Sequence, residues 1–280
     1  MNARTRRTGA RVLLNIAALI VFVCSVFPVY WMVNTAFLPG SAVKSDTPHL
    51  WPDEFTFRSF EAAWNDGGFL PALGVSLGVT VLTVVTALLF AFLASIAVSR
   101  YRFRSRKTFI IAILVIQMIP AEAMIISTFR VLDGWQLLNT IIGLSAVYIA
   151  MVLPFTIWTL RGFVNGVPAD LEEAAMIDGC SRTGAFWRIT FPLLAPGLIA
   201  TGVFAFIQAW NEFVFALVIM TRPDSLTLPI WLRAFVQATK ATDWALVMAA
   251  STIMAIPVIV FFLFVQHRMT SGLVAGAVKG

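Results

Sequence analysis

The sequence predicts an all-α integral membrane protein with six transmembrane helices, and three observations carry this prediction. Apolar residues make up 59% of the chain, charged residues only 12%, and the mean hydropathy is +0.87. Soluble domains carry about 25% charged residues, so this composition is typical of a membrane protein. Six apolar stretches are also long enough to cross a bilayer, which takes about 20 residues. They cover residues 12–33, 70–98, 109–129, 137–160, 197–220 and 245–266.

The distribution of Lys and Arg orients these spans. Fourteen of the twenty basic residues lie in the N-terminal segment, the 99–108 loop, the 161–196 loop and the C-terminal segment. The other six lie in the alternate connections. Because cytoplasmic loops carry the excess of basic residues, we expect both termini and these two loops in the cytoplasm. The net charge of +6 therefore has a topological cause and does not indicate nucleic-acid binding.

The 161–196 loop is the most polar long connection on the predicted cytoplasmic side, and it predicts a short helix. Pro168 suits the first helical position, where its missing N–H costs little. Asp170, Glu172 and Glu173 follow in the first turns, where carboxylates suit the positive end of the helix dipole. Gly179 lies where a residue in the left-handed conformation would cap the C-terminus.

This helix has one narrow apolar face. Leu171, Ala174 and Ala175 share the face by i, i+3 and i+4 spacing, and two alanines would let another protein's backbone approach closely. An alternative is an amphipathic connector that rests on the lipid headgroups. The acidic first half of the helix argues against that alternative, because the cytoplasmic leaflet is anionic.

A second short helix is expected to follow in the same loop. Ser181 or Thr183 would begin it, because both residue types are good N-caps. Pro192 would end it, because proline lacks the N–H that continues a helix. A polar helical segment held between two spans is a suitable docking site for a partner protein.

One run of residues in this loop resembles the EAA loop of ABC-importer permease subunits. The matching residues are Glu173, Ala174, Ala175, Gly179, Ile189, Phe191 and Pro192. The tail 272–280 and the run Trp210-Asn211-Glu212-Phe213 resemble the carbohydrate-importer branch, the maltose-type permeases. Cys180 departs from the family, which more often has alanine there, but both residues are small.

The resemblance implies one transmembrane permease domain over residues 1–280, with the type I ABC-importer permease fold and a cytoplasmic EAA coupling helix. The N-terminal span would cover residues 12–33, the core spans 70–266, the EAA loop 161–196 and the C-terminal tail 267–280. It also implies a multi-pass protein of the bacterial cytoplasmic membrane, with both termini in the cytoplasm.

The function implied by the resemblance is that of a permease subunit of an ATP-driven importer for a sugar. This chain would form half of the translocation path and would pair with a second permease subunit as a heterodimer. The other implied partners are two ATP-binding subunits, an extracytoplasmic sugar-binding protein, the sugar and the lipid membrane, with no nucleic acid. ATP and Mg²⁺ would be held by the partner subunits, so no cofactor, metal or enzymatic activity is expected on this chain.

Two features of the sequence agree with that division of labour. No Gly-x-x-x-x-Gly-Lys-Ser/Thr phosphate-binding motif occurs in the chain. The two cysteines, Cys24 and Cys180, and the two histidines, His49 and His267, are not spaced as a metal-ligand cluster.

The resemblance assigns contact with the ATP-binding subunits to two segments. The contact residues in the EAA loop would be Glu173, Ala174, Ala175, Asp178, Gly179, Ile189 and Pro192. The contact residues in the tail would be Gly272, Leu273 and Gly276, which would enter the cleft between the two ATP-binding subunits. The alternative for the tail is simple fraying of a chain end.

Two carboxylates inside predicted spans mark a candidate solute path. Only Glu122 and Glu212, of fourteen acidic residues, lie outside the loops. At 1.5 Å per residue they would sit about 20 Å and about 22 Å up the third and fifth spans. A carboxylate at that depth is costly and usually faces a bundle interior or a watery cavity. The predicted path residues are Glu122, Gln117, Gln208, Trp210, Asn211 and Glu212, with Trp210 or Phe213 as an aromatic surface for a sugar ring.

Several alternatives remain open at this point. The path residues could instead hydrogen-bond neighbouring helices and serve only structure. A glycerol-3-phosphate importer is a related substrate class, although no basic residue lies inside a predicted span. From other classes, the chain could be a self-contained proton-coupled carrier with Glu122 and Glu212 as a relay, or a non-transporting scaffold.

Overall fold

The computed structural model describes residues 3–45, 47–236 and 242–277, with side chains described for 11–45, 47–236 and 242–266. Within these ranges every regular element is helical, which confirms the predicted class. A 3₁₀ turn (Ala121–Met124) precedes α6 and a π turn (Phe186–Thr190) precedes α10. The helices are α1 (Ala3–Ala36), α2 (Gly40–Val43), α3 (Arg58–Trp64), α4 (Phe69–Arg100), α5 (Arg106–Gln117), α6 (Ile125–Gly134), α7 (Ile141–Gly166), α8 (Asp170–Ile177), α9 (Arg182–Ala185), α10 (Phe191–Asn211), α11 (Val214–Ile219), α12 (Leu228–Arg233) and α13 (Trp244–Ala277).

Most of the predicted spans appear as uninterrupted helices. Among the described residues, five stretches are long and apolar enough to cross a membrane: Arg11–Ala36, Phe69–Arg100, Ile141–Gly166, Arg182–Asn211 and Trp244–Gln266. A sixth crossing results if Arg106–Gln117 and Ala121–Gly134, which meet at an angle of 88°, count as one span. The predicted total of six therefore depends on how this bent pair is counted.

The third span is not the continuous helix predicted over residues 109–129. Its first half ends in a tight turn, in which the N–H of Met118 bonds to Val115 and that of Ile119 to Ile116, both at 3.1 Å. Pro120 then takes an extended conformation, with ψ at 119°. Proline lacks an N–H and disfavours helical geometry in the residue before it, so the chain turns here. The apolar stretch 109–129 is therefore two helical segments that meet at an angle of 88°, not one continuous helix.

The fifth span also has different ends from the predicted 197–220. Helical structure runs from Arg182 to Asn211, and it stops at Glu212, whose ψ of 130° is extended. Pro192 does not end a helix, contrary to the prediction, because a π turn precedes it. There the N–H of Phe191 bonds to the carbonyl of Phe186, five residues back. This wider ring lets the chain pass proline without the usual steric clash.

The chain divides into two compact units. The first contains residues 1–69 and 232–256, and in it the loop after α1 folds back on the end of that helix. Phe37 packs against Phe57 and Phe60, with ring centroids 5.3 Å and 4.8 Å away. Asn34 Nδ2 donates to the carbonyl of His49 at 2.9 Å. These contacts order a long loop that contains three prolines, Pro39, Pro48 and Pro52.

The second unit contains residues 70–231 and 257–280. Helix α10 packs along α7, and Gly197 permits their close approach, since a Cβ there would lie 2.5 Å from Cγ of Phe163. A buried cluster in this unit includes Leu144 and Tyr148 of α7, Ala209 of α10 and Phe215 of α11. This packing fixes the position of α10, which carries the predicted path residues Gln208, Trp210 and Asn211. The predicted single domain over residues 1–280 stays a prediction.

Candidate functional site

Helix α8 is the predicted helix of the EAA loop, and its sequence explains both of its ends. Three carboxylates occupy its first turn, where the helix dipole favours negative charge. At its end Gly179 has a φ of +91°, a conformation that glycine adopts without steric cost. The N–H of Cys180 bonds to Ala175 at 2.9 Å and that of Gly179 to Met176 at 3.1 Å. This paired arrangement is the Schellman motif, and it confirms the predicted C-cap.

The second helix of the loop, α9, begins where one of the two predicted caps lies. Ser181 Oγ accepts a hydrogen bond from the N–H of Gly184 at 3.1 Å. Ser181 is therefore the N-cap, and Thr183 lies inside the helix. Beyond α9, Ile189 is half-buried in the π turn and Pro192 is exposed at the start of α10.

The exposed surface of α8 differs in one respect from the predicted face. Ala175 is only 6% exposed, so it packs against the chain itself and is not open to a partner. Ala174 is exposed as predicted, and so is Leu171. Ile177 is 87% exposed, which is unusual for an isoleucine. Glu173 and Asp178 are also exposed, so the open side of α8 combines apolar and acidic side chains.

Glu172 has contacts that sequence reasoning did not find. Its Oε1 accepts a hydrogen bond from Thr190 Oγ1 at 2.6 Å and lies 3.4 Å from Nη2 of Arg100. The same Nη2 donates to the carbonyl of Val167 at 3.0 Å. Arg100 ends α4, Thr190 ends the π turn, and Glu172 lies in α8. No local signal separates Glu172 from its acidic neighbours, because both of its partners are distant in sequence.

A cavity of about 550 Å³ lies in the second unit, lined by residues of α5, the 3₁₀ turn, α6, α7, α10 and α11. Two of the predicted path residues, Gln117 and Gln208, line it together. The other polar groups of its lining are Ser127, Thr128 and the indole of Trp135, and the lining residues include no charged side chain. The break at Pro120 helps to form this cavity, since residues on both sides of the break line it.

Glu212 closes the break between α10 and α11. Its carboxylate accepts hydrogen bonds from the hydroxyl of Tyr148 at 2.5 Å and from the N–H groups of Phe215 at 2.8 Å and Ala216 at 3.0 Å. These are the free N–H groups at the start of α11, so Glu212 acts as its capping carboxylate. The alternative of a structural role therefore has direct support, and a role in the solute path stays a prediction.

The remaining path residues are dispersed. Trp210 is 1% exposed and stacks on Phe206 at 5.7 Å, so of the two predicted aromatic surfaces only Phe213, which is half-buried, stays a prediction. Asn211 is exposed, and its amide donates to the carbonyl of Ile207 at 2.9 Å. Glu122 is exposed in the 3₁₀ turn after the break, so its predicted height along a straight span does not apply. Neither Glu122 nor Asn211 is among the described residues that line the cavity.

The predicted tail contacts lie outside the described side chains. The backbone of α13 is helical as far as Ala277, which includes Gly272, Leu273 and Gly276. Their predicted contact with ATP-binding subunits stays a prediction.

Membrane-spanning helices and a polar loop with a capped, exposed helix are the arrangement that the EAA resemblance implies for the permease component of a transport system. The chain belongs to the family of binding-protein-dependent transport system inner membrane components, whose model matches residues 87–273. This places it among multi-pass proteins of the inner membrane and makes it a transport component rather than a catalytic one.

Curated relatives match almost the full length of the chain. The diacetylchitobiose uptake system permease protein DasC of Streptomyces coelicolor is 45% identical over 98% of this chain and 99% of its own length. The trehalose transport system permease protein SugB of Mycobacterium tuberculosis is 33% identical over 91% and 93% of the two chains. The trehalose/maltose transport system permease protein MalG of Thermococcus litoralis is 34% identical over 96% and 97%.

A solved structure confirms the fold. A chain of a bacterial ABC transporter involved in the import of the acidic polysaccharide alginate aligns with a TM-score of 0.81. The alignment covers 95% of this chain and 98% of that chain, at 22% sequence identity. The fold is therefore that of a type I ABC-importer permease, as the EAA resemblance implied.

Proposed function

We propose that this chain is a permease subunit of an ATP-driven importer for a sugar and forms half of the translocation path. The observation that carries the sugar class is the cavity, whose polar lining consists of two amides, two hydroxyls and one indole. Amides and hydroxyls can hydrogen-bond sugar hydroxyls, and an indole offers a flat apolar surface to a sugar ring. The names of the relatives for diacetylchitobiose, trehalose and maltose support the same class.

The driving energy comes from other chains. Two ATP-binding subunits, which bind ATP and Mg²⁺, dock on the EAA loops of this chain and of a second permease subunit. On this chain, α8 enters a groove of its ATP-binding subunit, and exposed Ile177 and Leu171 supply the apolar contact. Glu173, Asp178 and Gly179 complete the docking surface. The tail residues Gly272, Leu273 and Gly276 contact the ATP-binding subunits from the cytoplasmic side.

The import cycle follows from this arrangement. A sugar-loaded binding protein docks outside the membrane, and ATP draws the two cytoplasmic subunits together. The EAA helices convert this closure into outward opening of the path, and ATP hydrolysis returns the path to the inward-open state. Both termini and the EAA loop face the cytoplasm in this proposal, in keeping with the excess of Lys and Arg in those segments.

The structure favours sugar import over the alternatives. A glycerol phosphate would need a cationic group, and the lining of the cavity offers none among the described residues. A proton relay through Glu122 and Glu212 is not supported, because Glu122 is exposed and Glu212 is engaged by three hydrogen-bond donors. A second permease subunit that supplied a cation to the path would reopen the phosphate alternative.

Reconstitution tests the proposal directly. The chain is co-expressed with a second permease subunit, ATP-binding subunits and a sugar-binding protein from the same organism, and the complex is placed in liposomes with ATP inside or outside. We expect radiolabelled diacetylchitobiose, trehalose or maltose to be taken up only with binding protein and with ATP on the side of the ATP-binding subunits. Liposomes with hydrolysis-deficient ATP-binding subunits are the control. Uptake by this chain alone in a proton gradient would contradict the proposal.

A further inference from the structure

We propose that Glu172 is a positioning residue that makes the EAA helix move together with the two spans it contacts. This inference rests on the proposed function, because it concerns how ATP-driven movement of α8 reaches the membrane helices. Glu172 is not part of the docking surface described above. Its carboxylate points away from the open side of α8 and toward the rest of the chain.

The geometry connects three elements at one carboxylate. Oε1 of Glu172 is 2.6 Å from the hydroxyl of Thr190 and 3.4 Å from Nη2 of Arg100. Arg100 is the last residue of α4, and Thr190, fully buried, is the last residue of the π turn that leads into α10. Val167, at the start of the loop, adds a further contact, because its carbonyl accepts a hydrogen bond from the same Nη2 of Arg100. One ion pair and two hydrogen bonds therefore connect the end of α4 and both ends of the loop to α8.

The burial of this cluster makes it stiffer than an ordinary surface ion pair. The side chains of Glu172 and Arg100 are only 18% and 20% exposed. Exposed pairs are weakened by solvent and salt, whereas removal of one partner of a shielded pair leaves a charge without compensation. Thr190 donates to a charged acceptor, which gives a short and directional hydrogen bond.

Movement at Thr190 has a direct route to the cavity. Thr190 and Gln208 lie on one helical run, Arg182–Asn211, and Gln208 lines the cavity. Their eighteen-residue separation corresponds to about 27 Å of helix. A rigid helix transmits a displacement over this distance, but only if its Thr190 end moves together with α8. The π turn between α9 and α10 interrupts the regular α-helical hydrogen bonding and is therefore less rigid than an α-helix. The hydrogen bond between Glu172 and Thr190 connects α8 directly to the α10 side of this turn.

The test uses the complete transporter in liposomes, with sugar uptake and ATP hydrolysis measured on the same preparation. The variants are Glu172→Gln and Thr190→Val, and the control is Asp170→Asn, which removes an exposed first-turn carboxylate from the same helix. We expect Glu172→Gln to retain its ATP-binding subunits and its hydrolysis but to move about tenfold less sugar per ATP, within the usual range of coupling between sites. Thr190→Val should show a smaller loss, and Asp170→Asn none.

A second measurement does not require the sugar to be known. Spin labels at Ala169→Cys and Leu193→Cys, both exposed, report the distance between α8 and α10 in a background with Cys24 and Cys180 replaced by alanine. In the otherwise unchanged chain, ATP should leave this distance constant, because the two elements move together. In Glu172→Gln, ATP should change or broaden it.

The outcomes separate the two proposals. If the unmodified transporter imports no sugar but the label distance behaves as expected, the proposed function fails and the role of Glu172 stands. Equal sugar-to-ATP ratios in Glu172→Gln and in the unmodified protein would overturn the role of Glu172. The role of Glu172 would also be overturned if Asp170→Asn lowered the sugar-to-ATP ratio as much as Glu172→Gln does. The same holds if the loss of uptake in Glu172→Gln only matched its loss of bound ATP-binding subunits.

Discussion

The EAA loop and the wall of the cavity both contain breaks between consecutive helices, but the helix ends at these breaks are stabilised in different ways. In the EAA loop, α8 is capped by Gly179 and α9 by Ser181, residues next to the helix ends that they serve. At the cavity, the interruption before α11 is closed by Glu212 together with Tyr148, which lies 64 positions away in sequence. The loop therefore depends on local chemistry, and the cavity wall depends on packing between distant spans.

This difference predicts where single substitutions are severe. Loss of a local cap affects one short helix and leaves the rest of the chain in place. Loss of Glu212, which serves the distant Tyr148 as well as two N–H groups of α11, leaves three donors unpaired at once, and each unpaired buried donor costs about 1–3 kcal/mol. The substitutions below test this contrast, each against a matched control.

The largest effect is expected from Glu212→Leu. This change removes the acceptor of the Tyr148 hydroxyl and of two backbone N–H groups at the start of α11. We expect a loss of about 3 kcal/mol of stability and a melting temperature lower by about 6–10 °C in detergent. Glu122→Leu, at the other interrupted span, is the control, because its exposed side chain should have little effect.

A second substitution at the same position separates structure from transport. Glu212→Gln keeps an acceptor oxygen but removes the charge, so its thermal stability should lie between those of Glu212→Leu and the unmodified protein. Normal uptake by a well-expressed Glu212→Gln variant would remove this residue from the solute path. A melting temperature for Glu212→Leu equal to that of Glu122→Leu would contradict the capping role.

The same contrast explains which features were predictable from the sequence. Gly179 and Ser181 act through neighbours one to five residues away, so residue type and spacing were enough to predict the cap at Gly179 and to narrow the start of α9 to Ser181 or Thr183. Hydropathy, in contrast, measures average apolarity and does not register where a helix stops. Residues 109–129 and 197–220 are apolar on both sides of each interruption, so two continuous spans were predicted where the structure has breaks.

The candidate site shows the same limit. Gln117 and Gln208 were selected because their amides lie on the same two predicted spans as Glu122 and Glu212, and both line one cavity. Trp210 was selected for its aromatic ring, but ring type does not indicate which face of α10 is buried. Glu172 was passed over because its partners, Arg100 and Thr190, become neighbours only after the spans have packed.

The next largest effect is expected from Gly179→Ala in the EAA loop. A residue with a Cβ at a φ of +91° is strained by about 1–2 kcal/mol, so the end of α8 should shift or fray. We expect the affinity for the ATP-binding subunits to fall about five- to tenfold, measured by their retention on the purified permease. Gly162→Ala in α7 is the control, because an added Cβ there meets nothing within 4 Å. Equal retention by both variants would show that the cap does not position the docking surface.

A change of similar or smaller size is expected from Gln208→Leu in the cavity. This isosteric change removes an amide that could bind a sugar hydroxyl, so the KM for sugar should rise about tenfold, the equivalent of one good hydrogen bond. Retention of the ATP-binding subunits should not change. Ile207→Leu, a neighbour on α10 that is not among the described lining residues, is the control. A fall in maximal rate without a change in KM would place Gln208 outside the binding surface.

The smallest effect is expected from Ser181→Ala, and it bears most directly on the local character of the EAA loop. The hydroxyl of Ser181 accepts one hydrogen bond from Gly184 at an exposed position, so its loss should cost about 1 kcal/mol. Thr183→Ala is the matched control. It also removes a hydroxyl from the loop, but from a residue inside α9 that does not cap the helix. Both variants should fold and keep the cavity intact, with unchanged KM for sugar. Only Ser181→Ala should increase hydrogen exchange of the amides in α9, and exchange that also rose in α10 would show that the π turn depends on this cap.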